Sequence, residues 1–478
     1  MSTRTEISLV LGLCCAALQA GCVTSSIQSD RAAVSDIVHE RTGQDFADPR
    51  TSSNEEAERD VSGLLQKELT LDNAMRIALI NNPQLRAELA GLGVARGQLV
   101  QANMIPTVDF ELAVMFPQNA DHPNKWEVGA GVDLTQLILR GPRTDSAQAE
   151  LDAARIRAAG AALDLGYRVR LAYYDVQAAE QQLELYRTAM QAFGASYDAA
   201  RELRRAGNTI ELDVATEQTA YEGARVAVAE AEADLIDARE RLNIQLGLFG
   251  RSIAWQVAGR LPDPAASLGD LNKLETRAIE ASLELAETRA ELLAVARRVG
   301  VTKLAGILPD LSAGVGAEKH DGIWFVGPSV HGTVPLFDRL QGQRIAQQAE
   351  LEGMRERYQA SAIEIRATLR AARDRALSAQ ARVEQYRDTV LPLRERVVQQ
   401  TLLQYNAMQI GVFQLLQARR DQLEAARNYV VTLHEYWRSR AALEQILAGR
   451  LVASLGVMSR AQRSGSAISS GGGSVDSH

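Results

Sequence analysis

The sequence contains one pattern twice, about 200 residues apart. Self-similarity of this kind identifies repeated structural units before any local motif does. The segment that begins at Leu71 is echoed by the segment that begins at Leu271. The matches continue through Met104-Ile105-Pro106 and Ile307-Leu308-Pro309, Trp126-Glu127-Val128-Gly129 and Trp324-Phe325-Val326-Gly327, and Ala147-Gln148-Ala149-Glu150 and Gln347-Gln348-Ala349-Glu350. Because the order of the elements is repeated along with their composition, we predict two copies of one large structural unit.

Charge and hydropathy exclude several classes of protein. The net charge is -8 and the isoelectric point is near 5.5, whereas a nucleic-acid-binding protein needs a basic face. After the first 25 positions, the chain has no apolar run of the roughly 20 residues that a membrane-spanning helix requires. If the protein crosses a membrane, it therefore does not cross it with helices.

The amino terminus has the features of an export signal. Arg4 precedes an apolar run from Ile7 to Leu18, and Gln19-Ala20-Gly21-Cys22 follows. The small residues before Cys22 resemble a bacterial lipobox, which predicts acylation of that cysteine after cleavage and attachment to a membrane surface. The alternative is a plain secretory signal with an incidental cysteine. All three cysteines lie in this stretch, so the mature chain has no pair for a disulfide.

Hydrophobic periodicity predicts the same order of elements in each copy. An opening helix begins at Thr70 or Asp72 and ends before Pro106, and two strands follow. A long helix from about Ser146 to Ala206 comes next, and a shorter helix returns over about 212–246. At 1.5 Å per residue the long helix measures about 90 Å, and the opening and return helices together have nearly its length. We therefore expect those two to stack end to end along the long helix and to bury its apolar seam.

These patterns divide the chain into six segments. We predict a signal peptide over 1–21, a lipid-anchored extended segment over 22–68, the two repeats over 69–248 and 271–449, a linker with one short strand over 249–270, and a flexible tail over 450–478.

The predicted hairpins alternate apolar and polar residues with a period of two. The polar face of the first hairpin carries four carboxylates: Asp109, Glu111, Glu127 and Asp133. The polar face of the second hairpin is small and neutral, with Glu318 near its turn. Each strand has about the 9 to 11 residues that cross a bilayer when tilted.

Four strands are too few to form a closed barrel. An open sheet in hydrocarbon leaves unpaired backbone groups at both edges, each at a cost of several kcal/mol. Barrels need at least about eight strands, and a water-filled lumen needs more. Two chains would give a filled barrel and three chains a barrel with a passage. The alternative is that the hairpins pack against the helices as soluble sheets.

The order and spacing of these elements resemble the TolC-type outer-membrane efflux proteins over residues 69 to 449. The residues that carry the resemblance are Pro106 and Pro309 before the strands, Val334-Pro335-Leu336-Phe337-Asp338 after the second hairpin, and Tyr436-Trp437-x-x-Arg440-Ala441-x-Leu443-Glu444 near the end. With Cys22, the chain is similar to the lipoprotein branch of that family.

The resemblance implies a mainly helical homotrimer with a twelve-stranded barrel in the outer membrane of a Gram-negative bacterium. It implies the exit duct of a tripartite pump, whose partners are a periplasmic adaptor and an inner-membrane transporter that supplies the energy. The adaptor would dock at the turns between long and return helices, which contain Gly207, Asn208 and Thr209, and Met408, Gln409 and Gly411. If the strand carboxylates face the lumen, the outer passage favours cations.

The periplasmic entrance of such a duct is expected at Asp213, Gln414 and Gln417. Relatives have acidic residues just beyond the second turn, whereas this chain has the two glutamines there. The departure removes like-charge repulsion from the constriction. Asp213 remains acidic, either paired with a basic neighbour or acting as a solvated helix cap.

The sequence contains no catalytic constellation and no metal-ligand spacing among its six histidines, so we expect neither an enzyme nor a cofactor. The alternative function is structural. A periplasmic coiled-coil lipoprotein that tethers membranes would explain the helices and Cys22, but it would leave the four alternating strands without a role.

Overall fold

The computed structural model consists mainly of helices and contains one four-stranded sheet, which confirms the predicted fold class. It describes residues 27–43, 54–116, 124–264, 273–306, 310–320, 323–333, 337 and 340–452. The signal peptide, Cys22 and the tail beyond residue 452 lie outside the described residues.

The first copy and the segment before it contain α1 (Ile27–Thr42), α2 (Asn54–Leu65), α3 (Leu71–Asn81), α4 (Pro83–Ala102), β1 (Val108–Met115), β2 (Lys125–Asp133), α5 (Leu134–Arg205) and α6 (Glu211–Leu246). The second copy contains α7 (Leu274–Ala281), α8 (Leu283–Ala305), β3 (Asp310–His320), β4 (Ile323–Thr333), α9 (Gln341–Gln385), a π-helical turn (Tyr386–Val390), α10 (Leu391–Asn406) and α11 (Val412–Leu447). A short 3₁₀ turn (Gly250–Ile253) follows α6.

The first long helix begins about three turns earlier than the predicted start at Ser146. The helix α5 has 72 residues and is therefore about 108 Å long. Strand β2 runs directly into it, because the side chain of Asp133 accepts a hydrogen bond from the backbone N–H of Gln136 at 2.9 Å and caps the first turn. Pro142 lies inside the helix without ending it.

The second long helix contains a wide turn that the first does not. The π-helical turn over Tyr386–Val390 comes immediately before Leu391 and Pro392. Proline has no backbone N–H and its ring crowds the preceding turn of a helix. A π-helical turn accommodates such a residue without breaking the rod.

The opening helix is two helices in each copy, so the prediction of one continuous helix is wrong. The break lies at Asn82 in the first copy and at Ser282 in the second. The Asn82 side chain accepts from the N–H of Leu85 at 3.0 Å, and the Ser282 hydroxyl accepts from the N–H of Leu285 at 3.2 Å. Each side chain therefore starts a new helix.

In each copy, the end of the return helix contacts the break in the opening helix. This contact forms the end-to-end stacking that the sequence predicted. The Asn81 side chain donates to the carbonyls of Leu246 and Gly247 at 3.0 and 2.8 Å. In the second copy, the N–H of Leu283 donates to the carbonyl of Gly449 at 2.8 Å. The pieces that stack end to end along each long helix are thus the return helix and the second part of the opening helix.

The segment before the first repeat is not extended where the structure describes it. It forms α1 and α2, and Val34 and Val38 of α1 are fully buried. The Asp30 carboxylate is also fully buried and pairs with Arg96 of α4 at 2.5 Å and with Arg155 of α5 at 2.6 Å. The sequence analysis missed the helix α1 because its buried face contains charged residues and only a narrow apolar stripe.

The main core lies at mid-height, where the linker crosses the long helices. Trp255 of the linker is buried and donates its indole N–H to the Asn243 side chain at 2.8 Å. The predicted short strand is a single parallel bridge between Val257 and Leu69. The Tyr173 hydroxyl donates to the Leu69 carbonyl at 2.9 Å, and burial raises the pKa of that tyrosine to about 12.

The tail is packed over its first three residues, so it does not become flexible at residue 450. Val452 is buried, and the Arg450 guanidinium pairs with Asp164 at 2.5 Å and with Glu284 at 3.3 Å. Burial is the largest influence on Glu284 and raises the pKa of its carboxyl group. These contacts fasten the end of the second copy to α5.

The sheet has the order β1-β2-β3-β4 and is antiparallel throughout. The pairing of β2 with β3 joins the hairpins of the two copies. Gly131 and Gly314 lie opposite each other in that pair. A Cβ atom on Gly314 would lie 2.3 Å from the carbonyl oxygen of Ala130, so the two strands approach too closely for any larger residue.

Replacing Asp30 with alanine should release α1. Removing one partner of a buried ion pair typically costs about 3 to 5 kcal/mol because the remaining charges stay buried. Hydrogen exchange of the α1 amides should therefore accelerate at least about tenfold, whereas Asp36→Ala, at an exposed position of α1, should change little.

The same contact predicts a pH dependence. Burial opposes ionisation of Asp30, but hydrogen bonds from Arg96 and Arg155 outweigh it and hold the pKa of this carboxyl below its usual range. Its contribution to stability is complete above the unfolded pKa of about 4 and is lost as the pH falls through the lowered value. Unchanged hydrogen exchange of the α1 amides in Asp30→Ala would contradict a stabilising role for this clamp, the ion pairs of Asp30 with Arg96 and Arg155.

Replacing Gly314 with alanine should loosen the β2–β3 pair. The added methyl group forces the strands apart, and overpacking of this kind costs about 1 to 3 kcal/mol. Backbone amides of β2 and β3 should exchange faster with deuterium. Gly327→Ala is the matched control, since a Cβ there meets no atom within 4 Å; equal exchange in the two variants would refute the close approach.

Candidate transport pathway

The strand register brings all four predicted carboxylates to one face of the sheet. Asp109 lies opposite Gly131, Glu111 opposite Gly129, and Glu127 opposite Ala113. Because side chains alternate between faces along a strand, Asp133 lies on the same face as Glu127. This face is therefore polar in the first hairpin, as the alternation predicted.

The four carboxylates do not have equal roles. Asp133 is engaged as the cap of α5, as described above. Glu127 lies opposite Glu318 of the neighbouring hairpin, an arrangement that is unfavourable for two like charges. Lys125 forms an ion pair with Glu318 at 2.6 Å and offsets that repulsion. Within the first hairpin, the acidic character of the face therefore comes mainly from Asp109, Glu111 and Glu127.

The opposite face is apolar and exposed. Phe110 is 81% exposed and Val326 70%, and both tryptophans of the hairpins, Trp126 and Trp324, are also accessible. No helix among the described residues covers this face, so the alternative of a soluble sheet packed beneath helices does not describe the molecule. A contiguous apolar face of this kind marks a surface that contacts protein or lipid.

The first turn between a long helix and a return helix connects α5 to α6 at the end of the helical body away from the sheet. Gly207 has a φ of +77°, a conformation that glycine adopts readily. The Thr209 hydroxyl donates to the Asp213 carboxylate at 2.5 Å. The basic neighbour Arg204 instead pairs with Glu211 at 3.4 Å. Asp213 thus lies in the first turn of α6 with a local hydrogen-bond partner.

The second turn is shaped by Met408, which has a φ of +59° and is 94% exposed. The Gln414 side chain accepts from the N–H of Gly411 at 2.8 Å and caps α11. Gln417 donates to Asp421 at 2.8 Å, and Asp421 also pairs with Arg394 of α10 at 2.9 Å. A carboxylate therefore follows the two glutamines one turn later, neutralised by an arginine.

A buried charge near the two turns was not predicted. Glu217 of α6 is 3% exposed and accepts from the Ser196 hydroxyl of α5. It also pairs with Arg420 of α11 at 2.5 Å, and the guanidinium of Arg420 lies over the ring of Phe193 at 5.1 Å. This contact joins the return helices of the two copies.

A sequence signal for this contact exists. The apolar seam of α6 runs through Val214, Tyr221, Ala224 and Val228 at alternating spacings that also include position 217. A charged residue in such a seam must have a partner, because burial of an unpaired carboxylate is costly. The sequence did not identify the partner, since Arg420 lies 203 residues away.

A second polar contact ties the copies together at mid-height. The Asp175 carboxylate of α5 lies 2.7 Å from both His434 and Arg438 of α11. Burial opposes its ionisation, but the hydrogen bond to His434 and the charge of Arg438 keep the pKa of Asp175 below its usual range. The long helix of one copy and the return helix of the other are thereby held in register.

The described parts of the chain contain no group of three or more histidine, cysteine, aspartate or glutamate side chains placed to bind a metal ion. No helix in those parts is long and apolar enough to span a membrane.

Comparisons with known proteins agree with this architecture. Residues 74–248 match the family model of the outer membrane efflux protein. The cobalt-zinc-cadmium resistance protein CzcC of Cupriavidus metallidurans is 24% identical over 391 residues, which cover 79% of this chain and 90% of that protein.

Solved structures share the fold. Structures of CusC superpose with a TM-score of 0.64 at 17% identity, over 80% of this chain and 93% of that chain. The outer-membrane channel OprN gives 0.66 at 20% identity, over 80% and 90%, and the outer membrane channel CmeC of Campylobacter jejuni gives 0.68 at 15% identity, over 79% and 85%. The duplicated helices and the exposed sheet face agree with this similarity to the outer membrane efflux proteins.

Proposed function

We propose that this protein is the exit duct of a tripartite efflux pump, which passes small molecules or ions from the periplasm across the outer membrane without an energy source of its own. The observation that carries the proposal is the exposed apolar face of a four-stranded sheet at one end of a helical body about 100 Å long. Such a sheet matches the lipid-facing wall of a barrel.

The duct is a homotrimer. Among the residues that the structure describes, β1 and β4 each have a single neighbouring strand, and their free edges would be costly in hydrocarbon. Pairing β4 of one subunit with β1 of the next satisfies both edges. Three subunits give a twelve-stranded barrel, wide enough for a water-filled passage. The helices continue this passage into the periplasm, and acylated Cys22 anchors the chain to the membrane.

The two turns far from the sheet bind a periplasmic adaptor, which couples the duct to an inner-membrane transporter. Both are exposed hairpins between packed helices. The docking residues are Gly207, Asn208 and Thr209 in one turn and Met408, Gln409 and Gly411 in the other. The initial turns of the two return helices lie just beyond these residues and line the periplasmic entrance. They contain Asp213, Gln414 and Gln417.

Reconstitution tests the duct directly. The purified protein should migrate as a trimer that dissociates on heating, and it should give stepwise conductance in planar bilayers. The tether alternative predicts a monomeric rod that gives no conductance and is released from membranes by mild salt. Either of those two results would refute the duct.

The acidic face of the first hairpin makes cations the favoured cargo of the outer passage. CzcC is named as a resistance protein for cobalt, zinc and cadmium, and divalent metal cations are the substrate class that fits both its name and this face. A ring of carboxylates raises the local concentration of cations without binding them tightly.

Neutralising Asp109, Glu111 and Glu127 together, as asparagine and glutamines, should lower the cation preference of the channel. The removed charges would otherwise attract cations and repel anions within the lumen. The measurement is the reversal potential under a salt gradient. Lys125→Gln is the control of opposite sign, because it removes a cation from the same face and should raise the preference. An unchanged reversal potential in the triple variant would show that these side chains do not face the lumen.

Replacing Glu217 with glutamine should favour the open entrance. The change removes the charge that holds Arg420, and a hydrogen bond to a charged group is worth about 1.5 to 3 kcal/mol, or roughly tenfold or more in an opening equilibrium. Open probability in planar bilayers should rise by about that factor. Glu222→Gln, which breaks an exposed pair with Arg225 within α6, should leave gating unchanged; equal gating in both variants would exclude a restraining role for Glu217.

A further inference from the structure

A cavity of about 550 Å³ lies at the root of the first hairpin. Its described walls come from the end of α4, the segment that leads into β1, the start of α5, and α8. The volume is within the usual range for small-molecule sites. The cavity is therefore positioned where the strands meet the helical body.

The charged lining of this cavity is basic. Arg140, Arg143 and Arg298 contribute positive charges, and Glu150 contributes one negative charge. Glu150 pairs with Arg298 at 2.5 Å. A neighbouring cavity between α4, α5, α8 and α9 has no such excess, because it is lined by two arginines and three glutamates. Of these two cavities, the one beside the sheet therefore carries the excess of positive charge.

The arginines differ in how their side chains are held. Arg140 donates to the backbone carbonyl of Asn103 at 2.8 Å and to its side-chain oxygen at 3.0 Å, which fixes the guanidinium at the wall. Arg143 is exposed and has no ion-pair or hydrogen-bond partner within the described residues. An arginine fork of this kind matches the oxygens of a phosphate group.

The rim of the cavity is apolar. Met104 is 54% exposed and Ile105 70% exposed, and both lie in the lining. The chain continues from them into Val108 and Phe110, which belong to the exposed apolar face of the sheet. A ligand that fits this surface has an anionic group and an apolar tail on the side toward the strands.

We infer that this cavity binds the phosphate of an anionic phospholipid, with the acyl chains against Met104, Ile105 and the apolar sheet face. The inference rests on the proposed function, because it requires the strands to cross the membrane. The hairpin root then lies at the depth of the lipid headgroups on the periplasmic side. Arg143 supplies the free guanidinium for the phosphate, and Arg140 adds fixed positive charge, whereas Glu150 offsets the charge of Arg298. Each bound lipid would attach the barrel to the periplasmic leaflet of the membrane.

Calorimetric titration of the detergent-purified, full-length protein with short-chain phosphatidylglycerol tests the site. Phosphatidylglycerol should bind with higher affinity than phosphatidylcholine, which has the same phosphate but no net charge. Arg143→Gln should weaken the binding of phosphatidylglycerol about tenfold, since one charge-assisted contact is lost. Arg187→Gln is the matched control, because Arg187 is an exposed arginine of α5 that pairs with Glu232 far from the sheet.

Equal affinity of the protein and Arg143→Gln for phosphatidylglycerol would overturn the inference, as would equal binding of the two lipids. Displacement of the lipid by inorganic phosphate at a similar concentration would identify a free-anion pocket and would also overturn it. Conductance of the same preparations is measured separately. Loss of conductance in the unmodified protein would refute the duct, whereas lipid affinity in detergent decides the cavity.

Discussion

The pairing of backbone groups at the edges of the sheet is the constraint on which the architecture depends. A sheet with an apolar outer face is stable in lipid only when every edge has a partner. The described part of the chain supplies four strands in one continuous order, and the close approach of Gly314 to Ala130 joins the hairpins of the two copies into one sheet. In the proposed duct, other subunits satisfy the edges of β1 and β4. Oligomerisation is then a requirement for the membrane part to form.

The helical body gives the wall a rigid base because the same joint is made twice. In each copy, the return helix ends against the break in the opening helix, so two shorter helices cover one long helix. The joint needs special residues at its corner: Gly247 has a φ of +67°, and a Cβ on Gly449 would lie 2.1 Å from the carbonyl oxygen of Ala281. Polar contacts then join the two copies at different heights, at Asp175 and at Glu217. The clamp at Asp30 adds the preceding segment to the same body.

The accuracy of the sequence predictions followed from how local each signal is. The order and the alternating faces of the hairpins were predicted because alternation with a period of two is a strong pattern. The breaks at Asn82 and Ser282 were missed because apolar residues recur at helical spacing on both sides of each break, although each break has a local capping residue. The helix α1 was missed because its buried Asp30 is stabilised by arginines of α4 and α5, which periodicity does not reveal. Carboxylates could be assigned to one face of the sheet, but the capping role of Asp133 arises only because α5 begins there.

The two copies are similar in architecture but differ in chemistry, and a trimer would arrange that difference in space. Four of the acidic side chains of this face belong to the first hairpin, whereas the second contributes Asp310 at the start of β3 and Glu318 paired with Lys125, together with Phe325 and His331. The π-helical turn occurs before Pro392 in the second copy, whereas α5 runs unbroken for 72 residues. In the proposed trimer, hairpins of the two kinds would alternate around a twelve-stranded barrel, and its lumen would have threefold rather than sixfold symmetry in charge. The rods also alternate between one uninterrupted helix and one with a wider, weaker turn. In the proposed duct, we therefore expect the long helices of the second copy to bend toward the periplasmic end. The long helix of the first copy should stay straight.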